Sequence, residues 1–206
     1  MGKGLFITFE GIDGCGKSTQ FEMLKEYLLS NGEEFIVVRE PGGTVIGEKI
    51  REILLSKKND SMVPMTELFL FEAARAQITE EVIKPNIEKG ISVLCDRFFD
   101  STYAYQGYAR KLGTDTTDML NKLATGGLEP DITFLIDIPV SVALERRGKR
   151  GEADDRMEAL GTSFQEEVRK GYLEAASKSS RIKVIDGNST PDDVFEKVKE
   201  YYEALK

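Results

Sequence analysis

Three glycines within six residues near the N-terminus constrain the fold of this chain more than any other feature. The segment from Gly11 to Ser18 reads Gly-Ile-Asp-Gly-Cys-Gly-Lys-Ser. An apolar run, Leu5–Phe9, precedes it, and Lys17–Leu29 follows with apolar residues at helical spacing. Glycine adopts backbone angles that other residues avoid, so successive N–H groups can curl around one centre. The pattern predicts a strand, a tight loop and a helix.

The same eight residues match G-x-x-x-x-G-K-[ST], the P-loop that binds nucleoside triphosphates. The loop N–H groups and the start of the next helix attract phosphates, Lys17 reaches the β- and γ-phosphates, and the Ser18 hydroxyl binds Mg²⁺. The residues predicted to hold the nucleotide are Gly11, Ile12, Asp13, Gly14, Cys15, Gly16, Lys17, Ser18 and Thr19.

Further apolar runs alternate with helix-like segments along the whole chain. The additional predicted strands are Phe35–Val38, Ile91–Cys95, Ile132–Ile138 and Ile182–Ile185. The additional predicted helices are Thr66–Glu88 with a bend or end at Pro85, Val140–Arg147, and a last helix capped by Thr190. This alternation indicates a parallel sheet with helices on both faces. We expect one α/β domain covering residues 1–206.

Composition excludes several classes of function. The 206 residues contain no His and two Cys, with 28 Lys+Arg against 36 Asp+Glu, a net charge of −8. Without His there is no Ser-His-Asp or Cys-His nucleophile, and the acidic balance argues against a nucleic-acid partner. No apolar run approaches the ~20 residues that span a bilayer. We expect a cytoplasmic protein with Cys15 and Cys95 as reduced, buried thiols.

Arginines indicate a second anion site near the P-loop. Arg39 and Asp96-Arg97 end the second and third predicted strands, at the edge where ligands bind in such sheets. Asp96 is a candidate to hold Mg²⁺ with Ser18. Two facing phosphate sites suggest phosphoryl transfer to a phosphorylated acceptor, and the charged segment Arg146–Arg156 suggests a lid. A P-loop ATPase or a GTP-dependent switch is the alternative, weakened because the nearest text to N-K-x-D is Asn121-Lys122-Leu123-Ala124.

Four blocks of sequence resemble thymidylate kinases over essentially the whole chain. They are Phe9-Glu10-Gly11-Ile12-Asp13-Gly14, Arg39-Glu40-Pro41-Gly42-Gly43-Thr44, Leu70-Phe71-Glu72-Ala73-Ala74-Arg75-Ala76-Gln77, and Asp96-Arg97-Phe98 with Ser101-Thr102 and Ala104-Tyr105-Gln106. The resemblance implies a three-layer α/β/α P-loop fold with strand order 2-3-1-4-5. It implies transfer of the γ-phosphoryl group of ATP to dTMP with Mg²⁺, and a homodimer packed through helices.

The resemblance also assigns roles to particular residues. It implies that Phe71 stacks on thymine, that Arg75 hydrogen-bonds the edge of the base, and that Arg39 and Arg97 hold the acceptor phosphate. Asp13 would contact the 3′-hydroxyl, and Tyr105 would lie against the 2′ position. Ser101, Thr102 and Gln106 would complete the acceptor pocket, and the expected catalytic residues are Lys17, Asp13, Arg97, Arg146 and Arg150. Helical periodicity alone favours a core position for Phe71 instead.

The lid and two departures from the family pattern complete the prediction. Arg150-Gly151-Glu152 and Asp155-Arg156-Met157-Glu158 resemble the lid of bacterial members, expected around 146–158. Eukaryotic members carry an Arg in the P-loop where this chain has Gly14, which favours the bacterial kind. Phe98 replaces the usual Tyr. Another nucleoside or nucleoside monophosphate kinase remains the nearest alternative.

Overall fold

A five-stranded parallel sheet forms the centre of the protein in a computed structural model, which describes residues 4–149 and 155–206. The strand order is β2-β3-β1-β4-β5, which confirms the expected order and fold class. The strands are β1 (Phe6–Glu10), β2 (Phe35–Arg39), β3 (Ser92–Asp96), β4 (Ile132–Asp137) and β5 (Ile182–Asp186). The predicted strands differ from these bounds by one residue at most at either end.

Helices cover both faces of this sheet. They are α1 (Lys17–Ser30), α2 (Val45–Leu55), α3 (Pro64–Ile78), α4 (Lys84–Glu88), α5 (Phe99–Thr102), α6 (Thr114–Thr125), α7 (Val140–Gly148), α8 (Thr162–Lys178) and α9 (Pro191–Glu203). The predicted cap of α9 is confirmed, because the Thr190 hydroxyl accepts a hydrogen bond from the Asp193 N–H. The sequence analysis assigned no helix to α2, α5, α6 or α8.

The long predicted helix 66–88 is present but interrupted. A π-helical segment, Thr79–Ile83, separates α3 from α4, and Pro85 follows in the first turn of α4. Proline has no N–H to donate and its ring crowds the preceding turn, so a regular α-helix cannot continue through it. A second π-helical segment, Tyr103–Ala109, continues α5. Such segments are frequent at functional sites.

Apolar side chains fill the space on both faces of the sheet. Ile7, Phe9 and Phe134 pack under α1, α8 and α9, while Phe6 and Phe98 belong to a separate cluster on the other face. Burying each such side chain contributes about 1.5–3 kcal/mol. Cys15 and Cys95 are buried and free, as expected. Among the described residues, no helix has the length and apolar character needed to cross a membrane.

The strand ends bring charged residues to one edge of the sheet. β1, β2 and β3 are adjacent, and they end at Glu10, Arg39 and Asp96. Arg39 pairs in register with Asp96, and Phe9 pairs with the same residue on the other side. The P-loop leaves this edge directly after β1. The predicted meeting of P-loop, Arg39 and Asp96 is therefore confirmed.

Candidate active site

The P-loop requires glycine for steric reasons at position 14. Gly14 has φ +91°, and a Cβ atom built on it would lie 2.3 Å from the Ala143 carbonyl oxygen of α7. That distance is well inside van der Waals contact, so a side chain at this position would displace α7. Gly16 also has a positive φ, +99°, and directly precedes α1. The loop, which follows β1, is packed against α7.

Lys17 is held at the mouth of the loop by an ion pair. Its ammonium group contacts the Asp96 carboxylate at the end of β3, and the lysine is buried. Ser18 next to it is exposed. The pair orients the ammonium group at the sheet edge before any phosphate binds. The two residues predicted to hold Mg²⁺, Ser18 and Asp96, line the same cavity.

P-loop residues line more than one cavity. The first, of about 270 Å³, is lined by Asp13, Lys17, Ser18, Arg39, Glu40, Pro41, Arg51, Leu55, Phe71, Asp96, Arg97, Ser101, Thr102, Tyr105, Gln106, Asp155 and Met157. The second, of about 330 Å³, is lined by Gly14, Cys15, Gly16, Thr19, Gln20, Ile136, Arg146, Gly187, Ser189, Pro191 and Val194. We call these the acceptor cavity and the loop cavity.

Arg97 and Asp13 form the charged centre of the acceptor cavity. Arg97 Nη2 donates to Asp13 Oδ1 at 2.7 Å, and Nη1 donates to the Tyr172 hydroxyl at 2.9 Å. Burial alone would raise the pKa of Asp13, but Arg97 and Lys17 outweigh it and lower that pKa. The carboxylate is therefore ionised at neutral pH. Arg97 has φ +68°, which is uncommon outside glycine and characteristic of functional positions.

A buried carboxylate behind this centre was missed by the sequence analysis. Glu10 accepts hydrogen bonds from the Phe98 N–H at 2.7 Å, the Ser101 hydroxyl at 2.6 Å and the Tyr172 hydroxyl at 2.8 Å. Its pKa is raised, chiefly by burial. These bonds fix the chain on both sides of Ser101 and hold Arg97 from behind. The glutamate directly precedes Gly11, and only the folded chain shows what it binds.

Comparison with known proteins decides the family. The profile of the thymidylate kinase family matches residues 9–198. A thymidylate kinase of Thermosipho melanesiensis is 51% identical over 201 residues, covering 98% of each chain. Thymidylate kinases of Thermoanaerobacter sp. and Geotalea daltonii are 50% and 47% identical, covering 97% and 92% of this chain and 99% and 92% of their own.

The chain belongs to the thymidylate kinase family. Of the residues predicted to bind the acceptor substrate, all but one line the acceptor cavity. Those that line the acceptor cavity are Asp13, Arg39, Phe71, Arg97, Ser101, Thr102, Tyr105 and Gln106. Phe71 is only partly buried there, so it is not the core residue that periodicity favoured.

Arg75 is the exception in this thymidylate kinase family member. It is 1% exposed and is not part of the cavity lining. Its guanidinium forms ion pairs with Glu40 at 2.8 Å and Glu72 at 2.6 Å, and it donates to the Thr102 hydroxyl at 2.9 Å. Its Nε has no hydrogen-bond partner among the described residues. Contact between Arg75 and a base stays a prediction, whereas its hold on Thr102 is a feature of the structure.

Six lining residues of the acceptor cavity were given no role from the sequence: Glu40, Pro41, Arg51, Leu55, Asp155 and Met157. Arg51 is the most informative. Its Nη1 donates to the Pro41 carbonyl oxygen at 2.9 Å, and Arg39 Nη1 donates to the same oxygen at 3.1 Å. Burial, with Arg39 close by, lowers the pKa of Arg51. Arg51 lies on α2, a helix that the sequence analysis did not assign, so no pattern pointed to it.

The arginines of the predicted lid differ in their surroundings. Arg146 lies in α7, and its Nη1 donates to the Gly187 carbonyl oxygen at 3.1 Å and to that of Cys15 at 3.4 Å. Arg156 is buried, and its Nη1 donates to Glu67 Oε2 at 2.7 Å. Arg150, together with residues 151–154, lies outside the described residues. A catalytic role for Arg150 therefore stays a prediction.

Proposed function

We propose that this member of the thymidylate kinase family transfers the γ-phosphoryl group of ATP to dTMP, forming dTDP and ADP. The observation that carries the proposal is the acceptor cavity. It joins Lys17 of the P-loop, the arginines Arg39 and Arg97, and the aromatic ring of Phe71 in one space. A nucleoside monophosphate supplies the matching parts, because its phosphate suits the arginines and its base suits the ring.

The reaction is compatible with a chain that contains no His. A phosphate monoester has its second pKa near ~6, so the acceptor oxygen is already ionised at neutral pH and needs no general base. That oxygen attacks the γ-phosphorus of ATP, the bond to the β–γ bridging oxygen breaks, and ADP leaves. Lys17 neutralises charge on the donor and Arg97 on the acceptor, while Asp13 orients Arg97.

The donor set near Lys17 fits Mg²⁺. Ser18 and Asp96 offer a hydroxyl and a carboxylate, which are hard oxygen ligands. The described residues contain no group of three or more His, Cys, Asp or Glu that could hold a metal, and Mg²⁺ at a P-loop uses one or two protein groups plus phosphate oxygens. When bound, the ion supplies charge neutralisation on the ATP phosphates.

The loop cavity suits the nucleoside part of ATP. Three P-loop residues, Gly14 to Gly16, contribute to it, so a triphosphate on the loop would place its nucleoside end nearby. Arg146 forms one wall, and its planar guanidinium is a group that stacks on aromatic rings. Gly187 and Ser189, just after β5, form another. We assign these three residues to the adenosine of ATP.

A panel of acceptors tests the proposed function. ADP formation from ATP and Mg²⁺ is measured with dTMP, dUMP, dCMP, dGMP and dAMP by a coupled assay. We expect kcat/KM for dTMP to exceed that for dCMP and the purine nucleotides by about a hundredfold or more. Equal rates with dCMP would assign the chain to a broader nucleoside monophosphate kinase. ADP formation that no acceptor accelerates would assign it to an ATPase.

We also propose a homodimer formed through α2, α3 and α6. Eight of the twelve large apolar side chains that are exposed in the described part of the chain lie on these helices or just before α3. They are Val45, Ile46, Ile53, Val63, Met65, Phe69, Met119 and Leu123. The helices are neighbours, since α3 packs against both of the others. Large apolar side chains exposed together on neighbouring helices are typical of an interface.

Charge placed in that face is expected to separate the dimer. Phe69 and Leu123 are 55% and 71% exposed, so Phe69→Glu and Leu123→Glu leave the core intact. Each is expected to weaken dimerisation about a hundredfold, because the carboxylate would lose its water in the interface. Sedimentation equilibrium measures this effect. Leu29→Glu on α1, where the side chain is 66% exposed, is the matched control and should sediment as wild type. A monomeric wild-type protein would contradict the proposal.

Two further parts of the proposal concern the whole chain. Residues 1–206 form a single domain with a lid around 146–158, and Arg146 at the end of α7 together with the anchored Arg156 mark its two sides. The protein acts in the cytoplasm, where its two thiols remain reduced. Both thiols are free, which is compatible with that compartment.

A further inference from the structure

Glu67 of α3 is a fully buried carboxylate that receives three side chains from distant parts of the chain. Gln106 Nε2 donates to Oε1 at 2.8 Å, Arg110 Nη2 donates to Oε2 at 2.9 Å, and Arg156 Nη1 donates to Oε2 at 2.7 Å. Glu67 has no exposed surface. It does not line the acceptor cavity, and no sequence motif pointed to it.

The Glu67 carboxylate is ionised, so each of its partners must direct a hydrogen-bond donor to it. Burial alone would raise the pKa of Glu67, but hydrogen bonds from Arg110, Gln106 and Arg156 outweigh it and lower that pKa. An ionised carboxylate only accepts hydrogen bonds. The Gln106 side chain must therefore direct its NH₂ group to Glu67. This chemical argument assigns the amide orientation, which the positions of its heavy atoms alone do not distinguish.

The other half of the Gln106 amide is its carbonyl oxygen. Gln106 lines the acceptor cavity together with Phe71, Thr102 and Tyr105. Among the described residues, no donor is found for this oxygen. Thymine carries a hydrogen-bond donor at N3, whereas cytosine has a lone pair there. A carbonyl oxygen in the cavity attracts the N3–H of thymine and repels the N3 lone pair of cytosine.

We propose that Glu67 is a positioning residue for base selection, which fixes the Gln106 amide so that its carbonyl oxygen reads the N3–H of the acceptor base. This inference rests on the proposed function and deepens it. Glu67 contacts neither substrate, and it acts through Gln106. The two arginines that neutralise Glu67 keep it ionised, so the amide stays in one orientation.

Glu67→Gln tests the inference, with dTMP and 5-methyl-dCMP as acceptors. These two nucleotides differ only in the 4-substituent and in the proton at N3. A neutral amide at position 67 can accept from the arginines and donate to Gln106, which then turns its own NH₂ group to the cavity. We expect kcat/KM to fall about tenfold for dTMP and to rise about tenfold for 5-methyl-dCMP. The ratio of the two values should therefore fall about a hundredfold.

Two further variants keep the test decisive if Glu67→Gln folds poorly. Glu67→Asp keeps the charge but withdraws it by one methylene, and it should lower the ratio by about tenfold. The double variant Glu67→Gln, Gln106→Glu returns a hydrogen-bond acceptor to the cavity. It should restore the kcat/KM ratio to within about threefold of wild type. Asp100→Asn is the matched control. Asp100 is another buried carboxylate, paired with Arg181 at 2.7 Å, and its loss should reduce stability and leave the ratio unchanged.

Equilibrium binding separates this inference from the proposed function. Titration calorimetry gives Kd values for the same two nucleotides whether or not turnover occurs. A wild-type protein that binds dTMP without phosphorylating it would overturn the proposed function and leave the role of Glu67 intact. Wild-type Kd and kcat/KM ratios in Glu67→Gln and Glu67→Asp would overturn the role of Glu67. A fall in kcat/KM by the same factor for both nucleotides would show a structural role only, and it would overturn the proposed role of Glu67 as well.

Discussion

Lys17→Met is expected to lower kcat about a thousandfold while the fold is retained. The variant keeps the length and the apolar stem of the side chain and removes its charge. Lys17 follows the last P-loop glycine and is held at the sheet edge by Asp96. A preorganised cation at that position stabilises the negative charge that the donor phosphates carry in the transition state, and loss of such a group costs about 10²–10³ or more in rate. Steady-state kinetics with ATP and dTMP measure the loss.

The control for this variant lies on the same helix. Lys25 of α1 forms an exposed ion pair with Glu22, and exposed pairs of this type contribute little to stability. Lys25→Met should therefore have wild-type kinetics, and thermal unfolding should show that Lys17→Met is folded. Turnover of Lys17→Met within tenfold of wild type would remove the P-loop lysine from the mechanism.

Arg97→Ala is expected to lower kcat/KM for dTMP by about a hundredfold to a thousandfold. The guanidinium lies beside Asp13 in the acceptor cavity and offers a fork that matches two phosphate oxygens. Arg97→Lys keeps the charge and loses the fork, so it should recover only part of the activity. The loss is expected mainly in kcat/KM for dTMP, with KM for ATP little changed. Initial-rate kinetics with each substrate varied in turn separate the two.

Stability must be measured alongside, because Arg97 also neutralises buried carboxylates. Removing it takes away the cation that pairs with Asp13 and lies next to Glu10, which destabilises the fold. Arg181→Ala is the control, since Arg181 is a partly buried arginine paired with Asp100 outside the acceptor cavity. It should lower the melting temperature and keep the wild-type kcat/KM for the folded protein. Wild-type kinetics in Arg97→Ala would exclude Arg97 from the acceptor phosphate site.

The P-loop could be predicted in full because it is a local structure. Its parts are consecutive in the chain, and the glycine positions follow from the backbone angles that the loop needs. The strands were equally accessible, since each is a short apolar run, and the three central ones are almost entirely buried. Helices α2, α6 and α8 were harder, because their exposed faces carry large apolar residues or their sequences mix polar residues throughout. For α2 the capping hydroxyl of Thr44, which accepts from the Gly47 N–H, was the signal available.

The base-binding part of the acceptor site was predictable only through the resemblance to a known family. Phe71 shows the limit of pattern reasoning, because helical spacing cannot distinguish an aromatic ring in the core from one in a cavity wall. Arg51 had no motif that separated it from surface residues, and Glu40 stood in a quoted block without an assigned role, yet both line the cavity. Arg156 reads as part of a charged, solvated run, whereas the structure buries it against Glu67.

By itself the sequence determined the phosphate loop, the five strands with the first and last helices of the chain, and the charged residues at the strand ends, since these depend on neighbours along the chain. Only the tertiary structure decided which of these groups face a ligand and which hold one another. Glu67, Gln106 and Arg156 are far apart in sequence, and Arg75 meets Glu40 from another element. Burial of charge requires a partner brought from elsewhere in the fold, so such pairings become visible only when the chain is folded.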